Sequence, residues 1–348
     1  MSTDGRVSLY AGLVLIGLLV LVALAAPWLA PYDPEASIDA AAGRYRAPGT
    51  RLAAIELSAG GWMLADEVER TDDGLLALRL GETRRLAATE VANLTADGVA
   101  ASRFYLLGSD RFGRDILSRL LYGARVSLVI GLLSIVLAVT VGLALGAVAG
   151  LCGGLTDLLL MRLVEAFLAF PRLFLALALA ALLEPGPGVV ILILGGTGWM
   201  SIARLTRSQV LDIRRRDYVL AAQALGQHPW GIFSRHILPN AITPVLVDAS
   251  LRIGDVLLLE ASLSFLGLGI QPPIPSWGNM VAGGITALET AWWVTVFPGL
   301  AIALAVIGFN LLADGLHAGL DPRRRTVGSA ATPVRLAAPG QATPSASG

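Results

Sequence analysis

Residues 126–156 read VSLVIGLLSIVLAVTVGLALGAVAGLCGGLT and contain no charged side chain. A helix needs about 20 mostly apolar residues to cross the roughly 30 Å hydrocarbon core of a bilayer, so this stretch is long enough to do so. The 348-residue chain is 55% hydrophobic and 15% charged, with a mean hydropathy of +0.69. Soluble proteins contain about 25% charged residues. We therefore predict a polytopic membrane protein.

Apolar segments on both sides of this stretch predict five further crossings and hence an all-α fold with six transmembrane helices. Six crossings place both termini on one side of the membrane. For the first segment a cleaved signal peptide is the alternative, because small residues at 23–26 suit a cleavage site. The long apolar run after a single arginine, Arg6, favours an uncleaved helix. The five segments are residues 7–32, 157–183, 185–203, 241–268 and 291–313.

The segment after the first helix differs in composition. Residues 31–110 hold 13 acidic residues and 8 arginines, which gives this part of the chain a net charge of −5. Short apolar pieces alternate there with turn signals such as Asp72-Asp73-Gly74 and Gly81-Glu82. We expect a β-rich insertion outside the membrane over residues 33–105.

Arginines in the short loops predict the orientation. Six arginines lie between residues 204 and 240, and Arg323, Arg324 and Arg325 follow the last helix, so we expect these regions in the cytoplasm. The acidic insertion then lies outside the cell membrane. Five arginines lie outside with it, although the positive-inside rule would keep arginines on the cytoplasmic side. Long translocated loops count little in this rule. The five are Arg103, Arg111, Arg114, Arg119 and Arg125.

Several classes of function are disfavoured by composition. All 26 basic residues are arginines, and without lysine the chain cannot form the phosphate-binding loop of an ATPase. A single cysteine, Cys152, and three scattered histidines give no zinc-ligand spacing. A net charge of zero with a pI near 6.8 argues against nucleic-acid binding. We expect no cofactor or metal on this chain and no catalytic residue.

Small residues mark one face of the second helix. Gly142, Gly146, Gly150 and Gly154 follow one another at intervals of four. Glycines at this spacing allow a neighbouring helix to approach closely in a membrane, and we predict a packing seam. The alternative is the general abundance of glycine in membrane helices.

The fifth helix carries charge. Asp248, Arg252 and Asp255 share one stripe, whereas Glu260 lies off it. Ionisable side chains at bilayer depth pair with one another or face a water-filled path. A translocation lining and a self-neutralising helix contact both remain open. Arg162 and Glu165, on the third helix, are interpreted as an interfacial ion pair.

The loop between helices four and five predicts two short helices. Helix-forming residues at 218–225 end at Gly226, and Pro229 is suited to begin a second helix. Small Ala221 and Ala222, beside Leu220 and Leu225, would fit a groove on a cytoplasmic partner. An amphipathic loop resting on the lipid surface is the alternative.

This loop resembles the EAA loop of permease subunits in binding-protein-dependent ABC importers. The resemblance rests on Ala221-Ala222, Gly226 and Leu238-Pro239, which in that family belong to the segment that docks on the ATPase. The leading glutamate of the family motif is Leu220 here, and a later isoleucine position is His236. No role assigned to a carboxylate at that point is carried over.

Further motifs are similar to the C-type permease of dipeptide, oligopeptide and nickel importers. They follow the family order across residues 105–325: LGSDRFGRD at 107–115, Ser118-Arg119, YGARVSL at 122–128, SFLGLG at 264–269 and PPIPSWGN at 272–279. The resemblance implies the type I ABC importer permease fold in a bacterial inner membrane. It divides the chain into residues 1–32 (cytoplasmic N-terminus and first helix), 33–105 (insertion), 106–318 (permease core with coupling loop 212–240) and 319–348 (a largely disordered cytoplasmic tail).

The resemblance also implies the partners. The chain would form half of a heterodimeric pore with a second permease subunit, and two ABC ATPase subunits would use ATP and magnesium. A solute-binding protein would deliver short peptides, or nickel or another small solute. An ion-coupled secondary transporter using Asp248, Asp255 or Glu260 is the main alternative. An enzyme or sensor built on the insertion is a third, and no catalytic constellation there supports it.

Overall fold

The computed structural model describes residues 3–92 and 101–320, and the predicted C-terminal tail lies almost wholly outside them. The long first helix, α1, is followed by a short helix, α2, six strands and ten more helices. The helices are α1 (Thr3–Leu29), α2 (Ala40–Gly43), α3 (Ile116–Cys152), α4 (Gly154–Leu168), α5 (Arg172–Leu182), α6 (Pro187–Gly196), α7 (Trp199–Ile213), α8 (Asp217–Ala224), α9 (Pro229–Ile232), α10 (Leu238–Phe265), α11 (Trp277–Gly284) and α12 (Trp293–Leu320). The strands are β1 (Thr50–Glu56), β2 (Trp62–Ala65), β3 (Glu67–Thr71), β4 (Gly74–Arg79), β5 (Glu82–Ala87) and β6 (Ala101–Tyr105).

The six predicted crossings correspond to α1, α3, α4 with α5, α6 with α7, α10 and α12. Within the described residues, α1, α3 and α12 are each long and apolar enough to span a membrane, and the two bent pairs raise the number to five. Helix α10 has 28 residues but carries the four ionisable side chains at positions 248, 252, 255 and 260, which lower its apolar character.

The third crossing is not the continuous helix that the apolar run predicted. Helices α4 and α5 meet at a bend of 86° across residues 169–171. Pro171 explains the break, because proline disfavours helical geometry at the preceding residue and has no amide hydrogen to donate. Hydropathy does not register this change of direction.

The fourth crossing also differs from its predicted bounds of 185–203. Helices α6 and α7 meet at a bend of 41°, and α7 continues to Ile213. The break coincides with Gly195, Gly196 and Gly198, which weaken a helix interior. The arginines of α7 made its second half resemble a loop in hydropathy, although it is helical.

Helix α1 is an integral part of the helical bundle. It packs along α12 in the opposite direction, and the two helices approach so closely that a Cβ atom at Gly315 would lie 2.5 Å from Leu9. Gly12 meets the backbone at Leu312 in the same way. This close packing favours the uncleaved first helix over the signal-peptide alternative. The start of α1 and the end of α12 therefore lie at one end of the bundle.

The predicted β-rich insertion is confirmed. Its strands form two antiparallel three-stranded sheets, in the orders β2-β1-β6 and β3-β4-β5. The turn signals lie where the sequence predicted, because Thr71 pairs with Gly74 and Arg79 pairs with Glu82. Ile55, Leu75 and Leu86 are among the side chains buried between the sheets. We call residues 33–105 the β module.

The β module is attached where α1 ends and α3 begins. The Phe104 amide donates to the Tyr32 hydroxyl at 2.8 Å, and the Tyr32 amide donates to Ser118 Oγ at 3.1 Å. Arg119 Nη1 donates to the Pro34 carbonyl at 2.9 Å. The two ends of the module therefore lie side by side, at the end of the bundle opposite to the start of α1 and the end of α12.

Candidate functional site

The 212–240 loop contains the two short helices that the sequence predicted. Helix α8 ends at Ala224, and Gly226 adopts a φ of +74°, a left-handed conformation that glycine allows without strain. His228 Nδ1 accepts from the Trp230 amide and Pro229 begins α9. A five-residue π-helical segment then joins α9 to α10 without a break in the chain's helical path.

One face of this loop is buried and the other is exposed. Val219, Ala222 and Ile237 pack with Val210 and Ile213 at the end of α7. Four large apolar or aromatic side chains remain outside this core: Tyr218, Leu220, Leu225 at 82% exposure and Trp230 at 67%. Ala221 is exposed beside them and Pro239 is exposed at the start of α10, whereas Leu238 is half-buried. The loop thus presents an apolar surface that nothing in the described chain covers.

An arginine anchors the loop to the end of α3. Arg214 Nη1 donates to the carbonyls of Gly150 at 2.7 Å and Leu151 at 2.9 Å, which are free because a helix leaves its last carbonyls without internal partners. Arg216 donates to Asp212 at 2.9 Å, and this hydrogen bond raises the pKa of the Arg216 guanidinium. The beginning of the loop is therefore held to both α3 and α7.

Three of the four seam glycines lie against α7. A Cβ atom at Gly142 would lie 2.7 Å from Ile202 Cβ, and one at Gly150 would lie 2.8 Å from Val210 Cβ. At Gly146 an added Cβ would overlap the Ala203 carbonyl oxygen. Gly154 does not belong to this seam, which corrects the prediction: α3 ends at Cys152, and Gly154 begins α4 with a φ of +53° and open space around it.

The charged stripe of α10 consists of one ion pair, Asp248 with Arg252, and one exposed residue, Asp255. Arg252 donates to Asp248 from Nε at 2.5 Å and from Nη2 at 3.2 Å, with both side chains about one quarter exposed. Asp255 is exposed on the same helix. Arg162 and Glu165 form the expected ion pair on α4 at 2.9 Å, with both side chains exposed to more than half.

Glu260 has a different environment from the stripe. It is 1% exposed, and its Oε1 accepts from Ser264 Oγ at 2.8 Å. A Cβ atom at Gly278 would lie 3.3 Å from Glu260 Oε2, so the carboxyl group lies against the start of α11. Glu260 is therefore buried between α10 and α11 and does not belong to the charged stripe.

The arginines that conflicted with the predicted orientation are largely internal. Arg114 pairs with Asp110 at 2.6 Å, and Arg119 lies 3.7 Å from the same carboxylate. Arg103 is buried with its guanidinium 4.2 Å from the centre of the Tyr32 ring. Side chains used in this way are poor reporters of membrane orientation, which removes most of the conflict.

Burial raises the pKa of two side chains near the start of α3, Asp115 and Tyr105. Burial raises the pKa of Asp115, and the hydrogen bonds from the Ser118 amide and hydroxyl oppose this only in part. Burial also raises the pKa of Tyr105 to about 12, and its hydroxyl donates to the Gly113 carbonyl at 3.0 Å. These polar contacts fix the segment between β6 and the start of α3.

Arg172 is a functional candidate that sequence reasoning missed. It begins α5 after Pro171 and lies across a cavity from Arg252 of α10. The available signal was an arginine directly after a helix-breaking proline inside an apolar run. Residues 3–92 and 101–320 contain no group of three or more His, Cys, Asp or Glu side chains placed to hold a metal ion.

Comparison with known proteins agrees with the motifs. The profile of a family described as the binding-protein-dependent transport system inner membrane component matches residues 142–326, more than half of the chain. The chain belongs to this permease family. A second profile, the N-terminal TM domain of oligopeptide transport permease C, matches residues 9–48 of the permease. The resemblance to C-type permeases of ABC importers is thereby confirmed, and nothing supports the secondary-transporter alternative.

Individual relatives are similar over most of the permease. The di/tripeptide transport system permease protein DppC of Pseudomonas aeruginosa is 36% identical over 90% of this chain and 87% of its own length. The dipeptide transport system permease protein DppC of Bacillus subtilis is 39% identical over 67% of this chain and 73% of its own. An inward-facing structure of the MetNI methionine ABC transporter matches 57% of this chain and 96% of that chain, with 19% identity and a TM-score of 0.45.

Proposed function

We propose that this permease imports short peptides and that its 212–240 loop receives force from a separate ATPase. The observation that carries this proposal is the uncovered apolar surface of the loop, formed by Leu220, Leu225 and Trp230. Exposed apolar clusters of this kind mark protein interaction sites. The names of the two DppC relatives support di- and tripeptides as the cargo, ahead of nickel or another small solute.

The attachments of the loop supply a path for that force. Arg214 connects the loop to the last carbonyls of α3, and the π-helical segment continues into α10. The glycine seam holds α3 against α7, so these two helices would move as one body. Displacement of the loop would therefore tilt α3, α7 and α10 together, as in a rigid-body change between inward and outward openings.

The assembly would contain partners on both sides of the membrane. The chain contains no lysine for a phosphate-binding loop, so ATP and magnesium belong to two separate ATPase subunits on the cytoplasmic side. A second permease subunit would complete the pore. The arginines around the loop support a position for the loop and both termini in the cytoplasm of a bacterial cell. The β module would then face the solute-binding protein outside the inner membrane.

A pair of matched surface substitutions tests the docking surface. Leu225→Asp changes an exposed side chain of the loop, and Leu80→Asp makes the same change at the other end of the molecule, in the β4–β5 turn. Neither side chain is buried, so both variants should fold. We expect Leu225→Asp to lose the ATPase subunits during purification of the tagged assembly, together with its ATP hydrolysis.

The control should keep both properties at the level of the unmodified assembly. Retention of the ATPase subunits by Leu225→Asp, with normal ATP-driven import of Ala-Ala into proteoliposomes, would count against docking at this surface. Normal ATPase binding without import of any di- or tripeptide would leave docking intact and contradict the proposed cargo.

A further inference from the structure

Two broken helices line an open cavity of about 270 Å³. The α4–α5 bend contributes Phe167, Phe170 and Arg172, and the α6–α7 bend contributes Thr197 and Gly198. Arg252 of α10 completes the lining. Irregular backbone inside a membrane occurs where it is covered by protein or lines a water-filled space, and transport sites are often built from such interrupted helices.

The Arg172 guanidinium is incompletely bonded. Its Nη2 donates to the Leu194 carbonyl at 3.0 Å, near the end of α6. Its Nε is buried and has no hydrogen-bond partner among the described residues. A buried donor without an acceptor is costly, and an arginine has five donors in a fixed planar arrangement. Arg172 therefore keeps donor capacity that its contact with α6 does not use.

A second arginine, Arg252, adds positive charge to the cavity and favours the binding of an anion. Arg252 uses Nε and Nη2 on Asp248. Arg252 lines the same cavity as Arg172, although the two side chains come from different helices. Two guanidinium groups that line one cavity form a site at which a bound anion interacts favourably with both.

The polarity of the surrounding helices favours the same charge. Arg172 is the first residue of α5, which has 11 residues, and Gly198 precedes α7, which has 15. The N-terminal ends of both helices contribute to the cavity lining. Helix N-termini carry partial positive charge and unbonded amide hydrogens. The apolar rings of Phe167 and Phe170 border the cavity on the α4 side.

We infer that this cavity binds the carboxylate group of a peptide during its passage, through Arg172 with support from Arg252. This inference rests on the proposed function and names the part of the cargo that the site recognises. The volume suits one end of a short peptide, with the carboxylate against the guanidinium groups and the terminal side chain against the phenylalanines. Recognition is by a group that every unmodified peptide carries, so it is independent of sequence.

The test measures binding to the purified permease–ATPase assembly without the solute-binding protein. The probes are Ala-Ala and Ala-Ala-amide, which differ only in the charged carboxylate, measured by equilibrium dialysis. We expect the unmodified assembly to bind Ala-Ala at least about tenfold more tightly than the amide, as for the loss of one charge-assisted hydrogen-bond pair. Arg172→Gln should weaken Ala-Ala binding by a similar factor and abolish the difference between the probes.

Two further variants separate recognition from folding. Arg172→Lys keeps the positive charge and should restore part of the affinity. Arg162→Gln removes an exposed arginine of α4 and should bind both probes as the unmodified assembly does. If Arg172→Gln does not assemble, the comparison of acid and amide in the unmodified protein decides the question.

Equal binding of Ala-Ala and its amide would overturn the inference, as would unchanged affinity in Arg172→Gln. Import of Ala-Ala by the complete assembly without binding in the dialysis experiment would overturn the cavity and leave the proposed function standing. Binding that depends on Arg172, without import of any peptide, would establish the carboxylate site and contradict peptide import.

Discussion

Gly226 is the residue on which the α8–α9 turn depends most directly. Its φ of +74° costs a residue with a side chain about 1–2 kcal/mol, whereas Gly231 in α9 has open space and no such restriction. We expect Gly226→Ala to increase trypsin cleavage at Arg215, Arg216 and Arg235 by about 5–30 times, because cleavage follows the opened population. Gly231→Ala is the control and should be cleaved at the original rate. Equal rates would show that the turn tolerates the change.

Asp39 links the parts of the β module through one carboxylate. Burial alone would raise its pKa, but hydrogen bonds from the Ala42 and Leu64 amides and the pairing with Arg79 outweigh burial, so the pKa lies below its ordinary value. The stability that Asp39 contributes is therefore present above about pH 4 and is lost as the pH falls further.

Hydrogen exchange measures this pH dependence. Protection of the Leu64 amide should decrease below about pH 4 in the unmodified protein, in addition to the general acid effect. Asp39→Asn should show reduced protection already at neutral pH and a smaller change with acid. Asp72→Asn alters an exposed turn carboxylate and should behave as the unmodified protein. An Asp39→Asn profile that matches this control would contradict the role of Asp39.

Helices α3 and α7 can approach each other closely because α3 has glycines where the two helices touch. A methyl group at Gly146 would overlap the Ala203 carbonyl, whereas Gly17 in α1 has no atom within 4 Å of an added Cβ. We expect Gly146→Ala to lower the free energy of unfolding by about 1–3 kcal/mol through overpacking, seen as a lower melting temperature in detergent. Gly17→Ala should leave the melting temperature unchanged. A common melting temperature for the two variants would mean that the seam can widen without cost.

Helix α10 contains an ion pair for which the single substitution should cost more stability than the double substitution. Arg252→Gln leaves Asp248 half-buried without its partner, and we expect a loss of about 1–2 kcal/mol in detergent after allowance for its partial exposure. The double variant Asp248→Asn with Arg252→Gln removes both charges and should recover most of that loss. Thermal unfolding of both proteins makes the comparison. A double variant that is less stable than the single would contradict a mainly pairwise role.

The elements that sequence predicted well are those with a strong local signal. The charge-free runs located α1, α3 and α12, and the paired turn signals located the β3–β4–β5 hairpins. The bends in the third and fourth crossings were missed because hydropathy reports depth in the membrane and says nothing about direction. Gly154 was misplaced because a fixed spacing of four assumes that the helix continues, whereas α3 ends at Cys152.

At the scale of the whole molecule, the β module is expected to be separable from the helices. Its two ends are joined by the Phe104–Tyr32 hydrogen bond, and its core side chains pack within its own sheets. We expect replacement of residues 40–100 by a short Gly-Ser linker to preserve insertion of all six crossings, measured by cysteine labelling from each side. The unmodified chain is the control. Loss of any crossing would show that the module is needed for the helices to assemble.

The candidate sites also differ in how well the sequence predicts them, because one is formed by neighbouring residues and the other by residues far apart in the chain. The 212–240 loop was predicted with its turn, since Gly226 and Pro229 act on neighbouring residues. The cavity could not be predicted, because Arg172 and Arg252 lie on separate helices and meet only through the α4–α5 bend. Glu260 was recognised as lying off the stripe, but its partners come from the end of α10 and the start of α11.

The close packing of α1 on α12 has a consequence for biosynthesis. Gly12 contacts Leu312 and Gly315 contacts Leu9, so α1 has a main packing partner in a helix that is synthesised much later. During synthesis α1 must remain in the lipid with its glycine face uncovered while about 300 residues are translated, at roughly 5–20 residues per second. The α1–α12 contact can form only after α12 has been synthesised, so the glycine face of α1 would benefit from an insertase or membrane chaperone until then.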